Sequence, residues 1–152
     1  GRVVEPQHRR VRDATELLVT LAGARHQIRF ELPPSAGLVR CDGAELERVL
    51  VNLVANARDA MPAGGSIDVR VRTENRDVVL EVEDRGIGMD RPTRARLFEP
   101  YFTTKANGTG LGLAAAHGIV AACGGRMEVL SEPGRGSTFR VVFPLSPTAP
   151  PP

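Results

Sequence analysis

Two asparagines, Asn52 and Asn56, stand four residues apart within "ELERVLVNLVANARDAM". With Glu45, Arg48 and Asp59 they follow steps of three and four, which set all five on one face of a helix. A carboxamide between apolar neighbours such as Val49 and Ala55 needs a partner, because an unsatisfied buried amide is costly. Two partners stay open here. One is a hydrogen-bond network to the backbone. The other is a hard cation such as Mg²⁺, which takes few protein oxygens and shares the rest with a phosphate.

A second group of residues is "DRGIGMD", from Asp84 to Asp90, directly behind the strand-like "DVVLEVE". Asp84-x-Gly86-x-Gly88 fits a tight turn. It fits equally a carboxylate that accepts from an exocyclic amine while the glycines admit a flat ring. A third group, Gly108-x-Gly110-x-Gly112, opens a helix. Free N–H groups and the positive dipole end at such a start suit phosphate. The pattern lacks the Lys-Ser/Thr ending of a P-loop and the preceding strand of a dinucleotide fold. Between the glycine clusters, "IGMDRPTRARLFEPYFTTKANG" sets Arg91, Arg94, Arg96 and Lys105 against Asp90 and Glu99. A loop of this length and charge suits a lid over polyphosphate.

The elements that must hold these groups follow from periodicity. "RRVRDATELLVTLAGARH" reads as a short helix ending at Gly23, with Leu17, Leu18 and Leu21 at helical spacing. "HQIRFEL" and "GLVRCD" read as strands. A helix runs from Asp42 to Met61, with Asp42 as N-cap and Glu45 three residues on. "SIDVRVRTE" and "DVVLEVED" alternate and form a hairpin across "NR". No long periodic element appears from Arg85 to Gly108. A helix starts at the Gly108 cluster and stops at Gly124-Gly125, and "RMEVLSE" and "GSTFRVVFPL" are two strands around "PGRG". Both main helices are apolar enough to predict extensive burial, the second nearly all round, with His117 a core histidine and Glu47 and Arg58 an exposed edge. The order β-β-α-β-β-loop-α-β-β implies an α+β fold, a two-layer α/β sandwich with one mixed sheet of about five strands or more, three main helices and a lid.

Composition narrows the function classes. The 152 residues are 41% hydrophobic and 25% charged, typical of one globular domain. A net charge of +2 gives no reason to expect nucleic acid. The longest mostly apolar stretch, "LGLAAAHGIVAAC", is too short to span a bilayer, so no membrane contact is expected. Two cysteines far apart read as reduced thiols and a cytoplasmic setting.

As a set, "NLVANARDAM", "DRGIGMD", "LFEPYFTTK", "GTGLGL" and "GSTF" resemble the N, G1, F and G2 boxes and final strand motif of the ATP-binding domain of sensor histidine kinases, in wording closest to the nitrogen-regulation sensor type. The same superfamily includes gyrase-type and heat-shock-chaperone ATPases. The resemblance spans Val39 to Leu145. It implies ATP and Mg²⁺ as cofactors, with Asn56 as metal ligand and Asn52 beside it as the second catalytic position. It implies ATP contacts from Asp84 to adenine, from Gly86 and Gly88 on the adenine side, and from Gly108, Thr109, Gly110, Leu111 and Gly112 to phosphate. Lys105 is a phosphate partner and Thr138 holds adenine through water. Where many members carry Lys or Arg three residues after the metal asparagine, this chain has Asp59, so the basic contact is expected from Lys105, Arg58 or the lid. None of His8, His26 and His117 precedes an acid as the phosphoacceptor does. The resemblance therefore implies a catalytic domain at residues 26–145 of a protein-histidine kinase. It is preceded by a helical lead-in at 1–25 from a histidine-bearing dimerisation domain and followed by a Pro-rich tail at 146–152. A response-regulator receiver domain is the downstream partner, and the domain by itself is expected to be monomeric. A nucleotide-sensing pseudokinase and an anti-sigma-type serine kinase are the alternatives.

Overall fold

Five strands form the sheet on which the rest is built, with alternating burial in His26–Glu31 and Gly65–Glu74 and near-continuous burial in the central Asp77–Asp84. The computed structural model describes residues 4–6, 14–32, 38–103 and 111–145. The strands are β1 (Val4–Pro6), β2 (His26–Glu31), β3 (Leu38–Arg40), β4 (Gly65–Glu74), β5 (Asp77–Asp84), β6 (Arg126–Glu132) and β7 (Gly136–Pro144). The helices are α1 (Thr15–Ala22), α2 (Gly43–Asp59), α3 (Arg91–Arg96) and α4 (Gly112–Ala122). The main sheet has the order β2-β4-β5-β7-β6, and β1 pairs separately with β3. Only β2–β4 is parallel in the main sheet, so it is mixed, as the element order predicts.

One face of the sheet carries Ile67, Val69, Leu80, Val82, Phe139, Val141 and Phe143 into a shared core with Leu18, Leu46, Leu50, Leu53 and Val120. Each such side chain contributes about 1.5–3 kcal/mol on leaving water. Leu18 and Ala22 belong to that core, so α1 is packed into the domain. The opposite face is polar. Glu81, 4% exposed, is held by Arg72 Nη1 at 2.7 Å, Arg140 Nε at 2.7 Å and Arg70 Nε at 3.3 Å. Burial pushes its carboxyl up, but the bonds from Arg72 and Arg140 outweigh that and bring it down to about 2.

The β4–β5 hairpin turns at Asn75-Arg76, with Asn75 at φ 57°. This is a left-handed position that asparagine tolerates. Asp42 caps α2 by accepting from Ala44 N at 2.8 Å. The strand at Val4–Pro6 and the six-residue α3 carry too little periodicity to be legible in the sequence. Two burial expectations are overturned. Within α4 only Ala116 and Val120 are buried, and His117 is exposed. Alanine and glycine count as apolar but offer little area, so α4 is seated by Ala116 and Val120 with partly buried Leu113 and Ile119 beside them. Glu47 and Arg58 are half-buried, while Ala44, Arg48 and Asp59 are the exposed positions of α2. The reason lies in α1, which packs on α2 and whose Leu21 carbonyl accepts from Arg58 Nη1 at 3.1 Å.

Candidate functional site

Asp84 ends β5 on the helix-covered face and is 2% exposed. Its Oδ1 accepts from Gly86 N at 2.9 Å. Its Oδ2 has no partner and is one of two such buried side-chain atoms among the described residues, the other being Arg94 Nε. Burial raises the Asp84 pKa, bonds from the Gly86 and Ser137 backbone oppose the rise, and Glu83 adds to it. An acceptor held in place and left unpaired costs free energy unless a donor arrives.

The glycines behind Asp84 answer a question of packing. A Cβ on Gly86 would overlap the Ala60 carbonyl at the end of α2, and one on Gly88, at φ +69°, would overlap the Glu132 carbonyl of β6. In the direction a side chain would take, both glycines meet protein backbone, so close packing requires glycine at each. Ile87 N donates to Ala60 O at 3.1 Å, Gly134 N to Ile87 O at 2.7 Å, and Met89 N to Ser131 Oγ at 2.8 Å. These bonds staple the turn between α2 and the β6–β7 hairpin, which fixes where the Asp84 carboxylate points.

Asn52 and Asn56 lie half-buried on α2, and among the described residues neither carboxamide has a hydrogen-bond partner. Asn52 Oδ1 faces the first residue of α4, lying 3.9 Å from where a Cβ on Gly112 would stand. Helix α2 thus links Gly112 to the Asp84 turn. Asn52 meets the start of α4, and Ala60, eight residues on or about 12 Å along the axis, meets the Asp84 turn.

The segment after the turn is pinned at several points. Asp90 caps α3 by accepting from Thr93 N at 2.9 Å. Leu97 is buried in the core. The Phe98 ring stacks on the His117 imidazole of α4, centroids 4.5 Å apart and planes 26° apart. The Arg96 guanidinium lies 4.6 Å from the centre of the Phe102 ring. Tyr101 sits at φ 68° in a turn closed by Phe102 N to Glu99 O at 3.2 Å.

Residues 41–147 match the family model described as histidine kinase-, DNA gyrase B- and HSP90-like ATPase. The chain belongs to this ATPase family. It is 39% identical over 149 residues to the sensor kinase CckA of Brucella abortus (strain 2308), covering 87% of this chain and 16% of that protein. It is 36% identical over 138 residues to the signal transduction histidine-protein kinase AtoS of Escherichia coli (strain K12), covering 89% and 23%. The chain therefore spans less than a quarter of the length of either relative. Among solved structures, the catalytic domain of the histidine kinase ThkA in a nucleotide-free form superposes with a TM-score of 0.78 at 25% identity, covering 95% of each chain. Full-length ShkA in complex with AMPPNP superposes with a TM-score of 0.78 at 27% identity, covering 96% of this chain and 32% of that one.

Within this ATPase fold the expected site residues separate into groups. Asn52, Asn56, Asp84, Gly86, Gly88 and Gly112 line up along α2 and its two contacts, and Leu111 precedes α4 with 42% exposure. Lys105, Gly108, Thr109 and Gly110 lie outside the described residues. Thr138 does not join Asp84. The register pairs Asp84 with Ser137 and Thr138 with Glu83, and strand alternation sends Thr138 to the polar face. Ser137 is the hydroxyl on the Asp84 side, buried and 2.8 Å from Ser131 Oγ. The sequence placed the motif correctly but not its parity, which only the pairing with β5 reveals. Arg58 is also removed from the candidate phosphate contacts, since it donates to Leu21 O and pairs with Asp59 at 3.0 Å. Among the described residues no cluster of three or more His, Cys, Asp or Glu could hold a metal, and no helix is long and apolar enough to cross a membrane. The donors on hand fit Mg²⁺-ATP: an orphaned carboxylate oxygen for an amine, and unpartnered amide oxygens for a hard cation that shares its shell with phosphate.

Proposed function

We propose that this chain is the Mg²⁺-ATP-binding catalytic domain of a two-component sensor histidine kinase. It donates the γ-phosphate to a histidine on a separate dimerisation domain of the same protein, and a receiver domain takes the phosphate next. The observation that carries this reading is the buried Asp84 with Oδ2 unpaired. An adenine amine supplies the missing donor, whereas a guanine carbonyl would face it with lone pairs. A cytoplasmic setting follows from the ATP supply that such a reaction needs.

The residues divide the work. Asp84 selects and orients the base, and the stapled turn holds that carboxylate still. The start of α4 at Gly112 offers free N–H groups to the phosphates, the glycine-rich Gly108 to Leu111 precede it in sequence, and Lys105 offers a charge. The Asn56 carboxamide would hold Mg²⁺ together with phosphate oxygens, and the ion would supply charge neutralisation when bound. Asn52 cannot take a proton from water near neutral pH, because an amide has no basic carboxylate. In the gyrase-type ATPases the corresponding position is a glutamate that activates water. An amide there favours keeping the γ-phosphate for an imidazole nitrogen, with ADP as leaving group. Transfer then rests on positioning and electrostatics.

Radiolabelled ATP provides the test. The chain alone is expected to bind nucleotide, release little phosphate and remain unlabelled. With a matching dimerisation domain, acid-labile phosphohistidine should appear on that domain. Fast hydrolysis by the chain alone would shift the reading to an ATPase, and acid-stable phosphate on a partner to a serine kinase.

A further inference from the structure

We propose that His26 is a positioning residue for the nucleotide base, acting on the Asp84 turn through the end of α2. This role rests on Asp84 as the base acceptor proposed above and adds a residue of β2, outside the expected site set. His26 opens β2 on the same side as Ile28 and Phe30, which pack against the core. Its Nε2 lies 2.7 Å from the Met61 carbonyl. A carbonyl oxygen only accepts, so Nε2 carries the proton and donates.

Met61 follows Ala60, the C-cap of α2, and the last carbonyls of a helix lack partners within it. Met61 O accepts from Gly64 N at 2.9 Å, in its own turn, and from His26, in a separate element. The neighbouring carbonyl, Ala60 O, accepts from Ile87 N at 3.1 Å and is the atom that a Cβ on Gly86 would overlap. Gly86 N in turn donates to Asp84 Oδ1 at 2.9 Å. Imidazole and carboxylate are thus joined through hydrogen bonds and adjacent peptide units alone. The same corner has other ties. Arg58 Nη1 donates to Leu21 O at 3.1 Å, and Gly65 N to Arg25 O at 3.2 Å. These bonds do not need the imidazole, so losing its donor should loosen the Ala60–Met61 peptide rather than unfold the corner. Asp84 Oδ2 is buried and unpaired, and it meets an incoming amine in good geometry only while the turn behind it is held. Asn56 lies inside α2, held by the helix itself, so the metal-dependent part of affinity should be spared.

The experiment is calorimetric titration of AMPPNP, with and without Mg²⁺, into the parent and variants of His26. His26→Phe keeps a ring and removes the donor. It is expected to weaken binding about three- to tenfold, the scale of one hydrogen bond. The factor should be the same with and without Mg²⁺. His26→Gln, whose amide nitrogen reaches the Nε2 position, should restore most of the affinity. His26→Asn, whose amide stops near the Nδ1 position, should not. In the nucleotide-free protein the Ile87 amide should exchange faster in His26→Phe, and by a larger factor than the Leu80 amide, which reports opening of the central sheet. Parental affinity in His26→Phe, a loss confined to the Mg²⁺-dependent part, or equal affinities of the Gln and Asn variants would each overturn the proposal. If His26→Phe does not fold, His26→Asn against His26→Gln carries the same comparison. A parent that binds no AMPPNP would instead overturn the nucleotide reading. The exchange measurement still reports on the link in that case, and a parental Ile87 rate would overturn it.

Discussion

Asn52 and Gly112 meet where α2 passes the start of α4, with Asn52 Oδ1 3.9 Å from the position of a Cβ on Gly112. That separation is ordinary van der Waals contact, so a methyl fits. Gly112→Ala is expected to leave the fold intact, or to stabilise it by up to about 1 kcal/mol through helix propensity. The methyl would face the Asn52 amide, and nucleotide affinity should fall. Chemical denaturation and titration with Mg²⁺-AMPPNP should therefore move in opposite directions. A loss of stability would show that the contact is tighter than the geometry states.

Asn56→Ala should remove most of the Mg²⁺-dependent part of ATP affinity without unfolding the domain, since its side chain has no hydrogen-bond partner among the described residues. Titrations with and without Mg²⁺ separate the two contributions. Equal Mg²⁺ dependence in parent and variant would remove Asn56 from the metal site.

Asp84 predicts a pH dependence of binding. Burial raises its pKa, and an amine donor reaching Oδ2 would favour the ionised form and lower it again. Nucleotide affinity should then increase as pH rises just above the ordinary aspartate range and level off once Asp84 is ionised in the free protein. For stability the sign is reversed, because the folded chain holds this proton more tightly and stability falls as pH rises through the same window. Asp84→Asn should flatten the affinity profile and weaken adenine preference over guanine. A profile unchanged by the substitution would assign the titration elsewhere.

Glu81 governs acid sensitivity instead. Its pKa of about 2 lies below that of an ordinary glutamate. The stability it contributes is complete above the unfolded glutamate range and is lost as pH falls towards 2. Glu81→Gln should cost about 2–3 kcal/mol at neutral pH, since three arginines lose a shared charged acceptor. Its denaturation midpoint should also vary less with pH under acid conditions than that of the parent.

Periodicity made most of the framework legible. β6 and β7 flank a Gly-rich turn, and both lie where the sequence sets them. Asp84, Asn52 and Asn56 were legible because their spacing is a property of single elements. Pairing between elements was not. Thr138 and Ser137 are neighbours in "GSTF", and only the register against β5 decides which of them shares a face with Asp84. The packing demand on Gly86 and Gly88 was hidden for the same reason, since the carbonyls they accommodate belong to Ala60 and Glu132, distant in sequence. Small side chains misled in the opposite direction. The alanines of α4 suggested burial, whereas the helix is seated by Ala116 and Val120 and leaves His117 free to meet Phe98.

The placement of β2 has a consequence for how the chain folds. Three of the four strand pairings in the main sheet are antiparallel, and the β4–β5 and β6–β7 hairpins close over short turns. Such hairpins form within about 1–10 μs. β2 instead joins the edge of β4 in parallel, and α2 lies in the connection between them. That pairing is expected to follow the ordering of α2, because the long connection makes closure costly until the intervening helix has docked. Slow, late closure of β2 should therefore coincide with the burial of α2 against the sheet. The helix that carries both site asparagines is then positioned in the last cooperative step, and a kinetically trapped chain with its hairpins formed would have a sheet and no nucleotide site.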